Sequence, residues 1–156
     1  MKKLFLLLGL LCLPTLGFAK YCPTCFQTFQ VQTTRGKSKL FYHWLVIALN
    51  PNNPIKYKNF QTLFDKNITI TSNGNRVAQG LPAAYRYLIR KRQQWPLLAS
   101  SLKTMLVDGQ QAAIEYQMIT QHRGQKYRFL IITILEFKRH KVFDWTSVSY
   151  ITKIED

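Results

Sequence analysis

Residues 126–138 read KYRFLIITILEFK and residues 141–153 read KVFDWTSVSYITK, with only Arg139-His140 between them. Both runs are dense in β-branched and aromatic residues, and a two-residue break is the length of a tight hairpin turn, so they read as two long antiparallel strands. Moving back along the chain, residues 110–121 and 97–107 have the same character, joined through Arg123-Gly124 and Asp108-Gly109. The last third of the protein is thus a four-stranded meander with short turns.

The region before it mixes helices and one hairpin. Ser38 can cap a helix from about Lys39 to Asn50, where Phe41, Trp44, Leu45, Ala48 and Leu49 recur at helical spacing and Pro51 follows. A shorter helix covers about Ile55 to Phe64. Next come Asn67–Thr71 and Arg76–Gln79, flanking an Asn73-Gly74 turn signal. After Gly80 a third helix runs from Pro82 to Gln94, with Tyr85, Leu88, Ile89 and Trp95 inward and Arg86, Arg90, Lys91 and Gln93 outward.

The order helix, helix, hairpin, helix, meander resembles the nuclear transport factor 2-like superfamily, in particular its SnoaL-like and ketosteroid-isomerase-like branches, over about residues 38–153. The stretches that carry the resemblance are Phe41-Tyr-His-Trp44, Leu63-Phe-Asp-Lys-Asn67, Gly80 before the third helix, and Phe137-Lys-Arg-His-Lys-Val142 followed by Trp145. The resemblance implies an α+β fold, with N-terminal helices packed in the concave face of a strongly curved, mainly antiparallel sheet, a cone-like α+β barrel. It also implies a pocket and often a homodimer. It implies no particular reaction, because one fold of this kind serves enzymes, binders and scaffolds alike.

Strand alternation predicts which residues share the pocket face. With two-residue turns at Arg123-Gly124 and Arg139-His140, residue 118 opposes 129, 116 opposes 131, 114 opposes 133, 135 opposes 144 and 133 opposes 146. One face then holds Ile114, Tyr116, Met118, Phe129, Ile131, Leu135 and Val148 around a polar centre of Thr133, Asp144 and Thr146. A carboxyl group among hydrophobes favours its neutral form, which poises Asp144 for proton transfer. The expected ligand pocket is Tyr42, His43, Tyr85, Tyr116, Thr133, Asp144 and Thr146, with Asp144 as the candidate catalytic residue and Tyr42 or His43 as oxyanion donor. Phe143 and Trp145 fall on the opposite face, whose apolar content calls for cover by a second copy of the chain.

Lys2 and Lys3, the apolar run Leu4–Phe18 broken by Pro14 and Gly17, and Ala19 form the layout of a secretory signal peptide. About 15 residues is short for a bilayer span of roughly 20. Residues 1–19 are therefore expected to be a signal peptide, 20–37 a polar leader, and 38–156 the folded domain, in a protein exported to the periplasm or secreted. The leader contains Cys22 and Cys25 in Cys-Pro-Thr-Cys, which can form a local disulfide or pair with another chain; the strand that precedes a thiol-redox motif is missing.

With 22 Lys and Arg against 7 Asp and Glu the net charge is +15, and +13 once residues 1–19, with Lys2 and Lys3, are removed. Such an excess draws anionic lipid or an envelope polymer, while export disfavours a nucleic-acid partner. Basic clusters stand at 86–92, 123–128 and 138–141. His43, His122 and His140 are scattered, and no nucleotide fingerprint is present, so neither a metal site nor a cofactor is expected. Three functions remain: an exported binder of a small apolar or amphipathic ligand, a SnoaL-like acid–base enzyme, and an assembly part of an envelope or secretion complex.

Overall fold

The computed structural model describes residues 33–53 and 55–155. The expected signal peptide and the Cys22–Cys25 pair lie outside the described residues. Among the described residues, three helices, α1 (Thr34–Leu49), α2 (Tyr57–Leu63) and α3 (Leu81–Gln94), accompany six strands, β1 (Phe64–Ser72), β2 (Asn75–Gln79), β3 (Leu97–Asp108), β4 (Gln111–His122), β5 (Gln125–Lys138) and β6 (Lys141–Lys153).

The strands form one sheet in the order β2-β1-β6-β5-β4-β3. Only β1 and β6 run parallel; every other neighbour is antiparallel. The expected α+β architecture is what the chain adopts, with one qualification: the sheet curls around the helices without closing. Its free edges are β2 and β3.

Local chemistry explains most boundaries. Helix α1 starts a full turn earlier than expected, because the Thr33 hydroxyl accepts a hydrogen bond from the Gly36 amide at 3.2 Å and so caps the helix there. Ser38, expected to be the cap, is instead a buried helical residue whose hydroxyl donates to the Thr34 carbonyl at 2.8 Å. The last residues of the expected polar leader are thus helical. Asn73 and Gly74 both take left-handed φ, 49° and 78°, as the tight turn between right-twisted strands requires.

The helices bury an aromatic cluster at one end of the sheet. Phe60 stacks on Phe64 at 4.3 Å between centroids, Trp44 meets Phe64 edge-on and Phe60 at a tilt, and Phe41 meets Trp145 edge-on at 5.0 Å. Offset and edge contacts of this kind add about 0.5–1.5 kcal/mol each beyond the area they bury. At the opposite end of α3, Trp95 stacks on His122 at 4.6 Å and meets Tyr127 and Phe129 edge-on. The two clusters bracket the middle of the concave face.

The β4–β5 register is the expected one, with Met118 opposite Phe129, Tyr116 opposite Ile131 and Ile114 opposite Thr133. The β5–β6 register is not. Phe137 pairs with Val142, yet Glu136 pairs with Asp144, which leaves Phe143 as an extra residue on β6. This is a β-bulge, and it shifts everything beyond it by one position. Leu135 therefore opposes Trp145 rather than Asp144, and Thr133 opposes Ser147 rather than Thr146. A shift by one exchanges the faces.

Candidate functional site

Because of the bulge, the concave face receives Trp145, Ser147 and Ser149 from β6, and Asp144, Thr146, Val148 and Tyr150 turn to the convex side. The placement of Asp144 and Thr146 in a pocket is thereby corrected. The Asp144 carboxylate accepts a hydrogen bond from the Thr146 hydroxyl at 3.0 Å, and the pair is half-buried on the convex side. His43 is exposed on α1, again contrary to a place in the pocket. Tyr85 is turned the other way: its hydroxyl donates to the Ile55 carbonyl at 2.6 Å, and its ring packs against Tyr57 and Phe60.

What remains is a cavity of about 110 Å³ between α1, α3 and the sheet. Leu45, Leu88, Met118, Phe129 and Ile131 supply its apolar surface. Its polar surface comes from Ser72 on β1, Tyr87 and Lys91 on α3, and Ser147 and Ser149 on β6. Ser72 and Ser147 are register partners in the parallel β1–β6 pair, so the hydroxyls come from adjacent strands. Lys91 Nζ stands 5.6 Å above the centre of the Tyr87 ring, a cation–π distance.

Of the residues expected from the sequence, Tyr116 lines this cavity. Its hydroxyl lies 3.2 Å from that of Thr133, which is fully buried behind it. Burial pushes the Tyr116 phenol above the ordinary range, the Thr133 hydrogen bond offsets this in part, and Tyr87 and Tyr42 add to the rise. Tyr42 leans its ring on Tyr116 at 5.6 Å and donates to the Ser100 hydroxyl at 3.2 Å. Burial raises the Tyr87 phenol as well, while the Ser72 hydroxyl and the Arg90 guanidinium pull it partly back. A phenol is neutral near pH 7 at its ordinary value already, so both act as hydrogen-bonding groups.

Among the described residues, the lining contains neither a carboxylate nor an imidazole. Lys91 is its one charged group. Two further polar atoms among the described residues are buried without a hydrogen-bond partner, Trp145 Nε1 and Thr120 Oγ1, and both residues line the cavity. Among the described residues no group of three His, Cys, Asp or Glu side chains is placed to hold a metal ion. The arrangement suits binding through shape and hydrogen bonds, and an acid–base step resting on Asp144 has no carboxylate here.

Sequence reasoning missed Tyr87, Lys91 and the β6 serines. Leu88, Lys91 and Trp95 follow i, i+3, i+7 spacing on α3, which places Lys91 on the inward stripe although its charge argued for solvent. The serines were hidden by the bulge alone.

A family model described as a SnoaL-like domain matches residues 46–145. That span covers most of the chain, and the protein belongs to the SnoaL-like family. No curated protein matches the sequence. Among solved structures, a candidate SnoaL-like polyketide cyclase from Jannaschia sp. CCS1 superposes with TM-score 0.64 at 10% identity, over 78% of this chain and 89% of that one. A candidate isomerase from Rhodopseudomonas palustris gives 0.63 at 14% identity, over 72% and 88%. A protein with a ketosteroid isomerase-like fold from Catenulispora acidiphila DSM 44928, in complex with trimethylamine, gives 0.57 at 13%, over 70% and 83%. Identities this low establish a common fold.

Proposed function

We propose that this SnoaL-like domain is an exported, basic binder of a small apolar or amphipathic molecule, held in the concave cavity between α1, α3 and the sheet. One observation carries the reading: an apolar cavity of about 110 Å³ rimmed by hydroxyls and one ammonium. A wholly apolar cavity of about 150 Å³ accepts benzene, so this smaller one suits an occupant no larger than a single ring. Export rests on the charged, apolar, small-residue order of residues 2–19. The exposed Lys138, Arg139 and His140, beside a recess of about 140 Å³ lined also by Lys66 and one carboxylate, Asp65, suit contact with anionic lipid or an envelope polymer.

A second copy is the proposed partner of the convex sheet face. Ile132, Ile134, Val148 and Tyr150 form an apolar stripe there, with exposures of 51%, 50%, 60% and 71%. Arg128 and Glu136 flank it on the same strand, eight residues or about 26 Å apart. A two-fold axis near Ile132 sets Arg128 of each copy against Glu136 of the other, a self-complementary arrangement.

The cavity reading is tested by titrating the mature protein with toluene and with benzyl alcohol while following tryptophan fluorescence, since Trp95 and Trp145 both line the cavity. Saturable binding is expected. Ile131→Phe, which fills the space, should weaken it at least tenfold while leaving cooperative unfolding intact. No saturable change in the wild type, or unaltered binding in Ile131→Phe, overturns the reading.

A further inference from the structure

The cavity's polar groups are distributed in a way that an apolar occupant alone does not satisfy. Lys91 is half-buried at the rim, and among the described residues no carboxylate pairs with it. An ammonium in such a place, partly stripped of water and facing a cavity, lacks the counter-charge that would offset its desolvation. The hydroxyls of Tyr87, Ser72 and Ser149 line the same cavity and can donate to an oxyanion, whereas the Ser147 hydroxyl already donates to the Thr71 carbonyl at 3.5 Å.

Further inside, Trp145 is 5% exposed and its indole N–H has no acceptor. A buried donor left unmade costs about 1–3 kcal/mol, so its persistence calls for an explanation. The Trp145 ring is fixed by Phe41 and Phe64, which contribute no acceptor. Leu88, Met118 and Ile131 line the same cavity and offer only van der Waals contact.

We propose that the ligand is a small amphipathic carboxylate: its carboxylate paired with Lys91 among the rim hydroxyls, a body about the size of one ring on the apolar floor, and an acceptor oxygen near the far end to receive the Trp145 N–H. This rests on the reading of the cavity as a ligand site. The chemistry excludes amphipathic cations, which Lys91 would repel, and ranks neutral alcohols below acids of the same shape. The Tyr87 phenol is protonated at pH 7 at its ordinary value of 10.0 already, so it stands as a donor toward the carboxylate.

Isothermal titration of the mature protein at pH 7 separates the terms. The probes are 3-phenylpropanoate, 3-phenylpropan-1-ol and 3-(4-acetylphenyl)propanoate. The acid should bind at least tenfold tighter than the alcohol, and Lys91→Gln should remove that ratio while leaving the alcohol's affinity unchanged. The acetyl oxygen should add about fivefold, a gain absent in Trp145→Phe, whose urea midpoint is measured alongside. Equal affinity of acid and alcohol, or a ratio that survives Lys91→Gln, overturns the carboxylate assignment while the cavity reading stands. No gain from the acetyl group in the wild type overturns the role of Trp145, whether or not the variant folds. Failure of all three probes to bind overturns the cavity reading itself.

Discussion

Trp145 lies directly opposite Leu135 across β5 and β6, which sends its indole inward to meet Phe41 at 5.0 Å and Phe64 at 6.2 Å. Strict alternation from the Arg139-His140 turn sets Asp144 in that place instead. The difference is one residue, Phe143, accommodated as a bulge next to the turn. Placing an indole rather than a carboxylate in the core avoids several kcal/mol of charge desolvation, which is the physical reason the bulged register wins.

This relationship predicts a sharp contrast between two neighbours. Trp145→Ala should cost about 3–5 kcal/mol, as expected for a large core aromatic. Asp144→Asn keeps an acceptor for the Thr146 hydroxyl on the convex surface and should stay within about 0.5 kcal/mol of wild type. Urea denaturation of both variants checks the contrast, and comparable losses would refute the register.

The fold was legible because its signals are local and repeated. The strand runs differ from the observed β3 to β6 by a residue or two at their ends, and Asn73-Gly74 marked its own turn. The β4–β5 pairing followed from Arg123-Gly124, whose left-handed φ values of 50° and 81° set a two-residue loop. The site was less legible, because it hangs on a bulge that leaves no mark in composition: Phe143 is as good a strand residue as its neighbours. Lys91 was misread because charge outweighed helical spacing, although its long apolar stem allows a place on an inward stripe.

The β5–β6 turn carries a conformational cost that substitution should release. Arg139 and His140 both hold left-handed φ, 48° and 70°, where a side chain costs about 1–2 kcal/mol per residue. The double change Arg139→Asn with His140→Gly introduces the sequence already used at 73–74. It forfeits the exposed contact of Lys37 Nζ with His140 Nδ1 at 2.8 Å, which is worth little in water. A net gain of about 1 kcal/mol is expected, read as a higher urea midpoint with unchanged slope; a lower midpoint contradicts it.

Alkaline pH should unfold the protein through its buried phenols. Tyr116 has an ordinary value of 10.0 when unfolded and a higher one when folded, so between the two the native state holds a proton that the unfolded chain has released. Its contribution is complete below pH 10 and is lost as pH rises toward the folded value, at up to about 1.4 kcal/mol per pH unit. Tyr87 acts in the same direction. Tyr116→Phe should therefore flatten the fall in stability above pH 10, while costing about 1–2 kcal/mol at pH 7 because the buried Thr133 hydroxyl loses its partner. Equal alkaline slopes in the two proteins would contradict the assignment.

Pairing of convex faces is open to a test that charge order makes specific. Ile132→Lys places an ammonium at the centre of the apolar stripe and should weaken self-association at least a hundredfold in sedimentation equilibrium, with the monomer still folded. Arg128→Glu and Glu136→Arg should each weaken it by bringing like charges together across the two-fold axis. The double exchange restores opposite charges at both ends of the stripe and should recover most of the lost affinity. Contact through any other surface leaves the double variant no better than the singles. A wild-type protein that stays monomeric at about 100 μM, a concentration at which an interface of standard size is populated, would exclude the dimer.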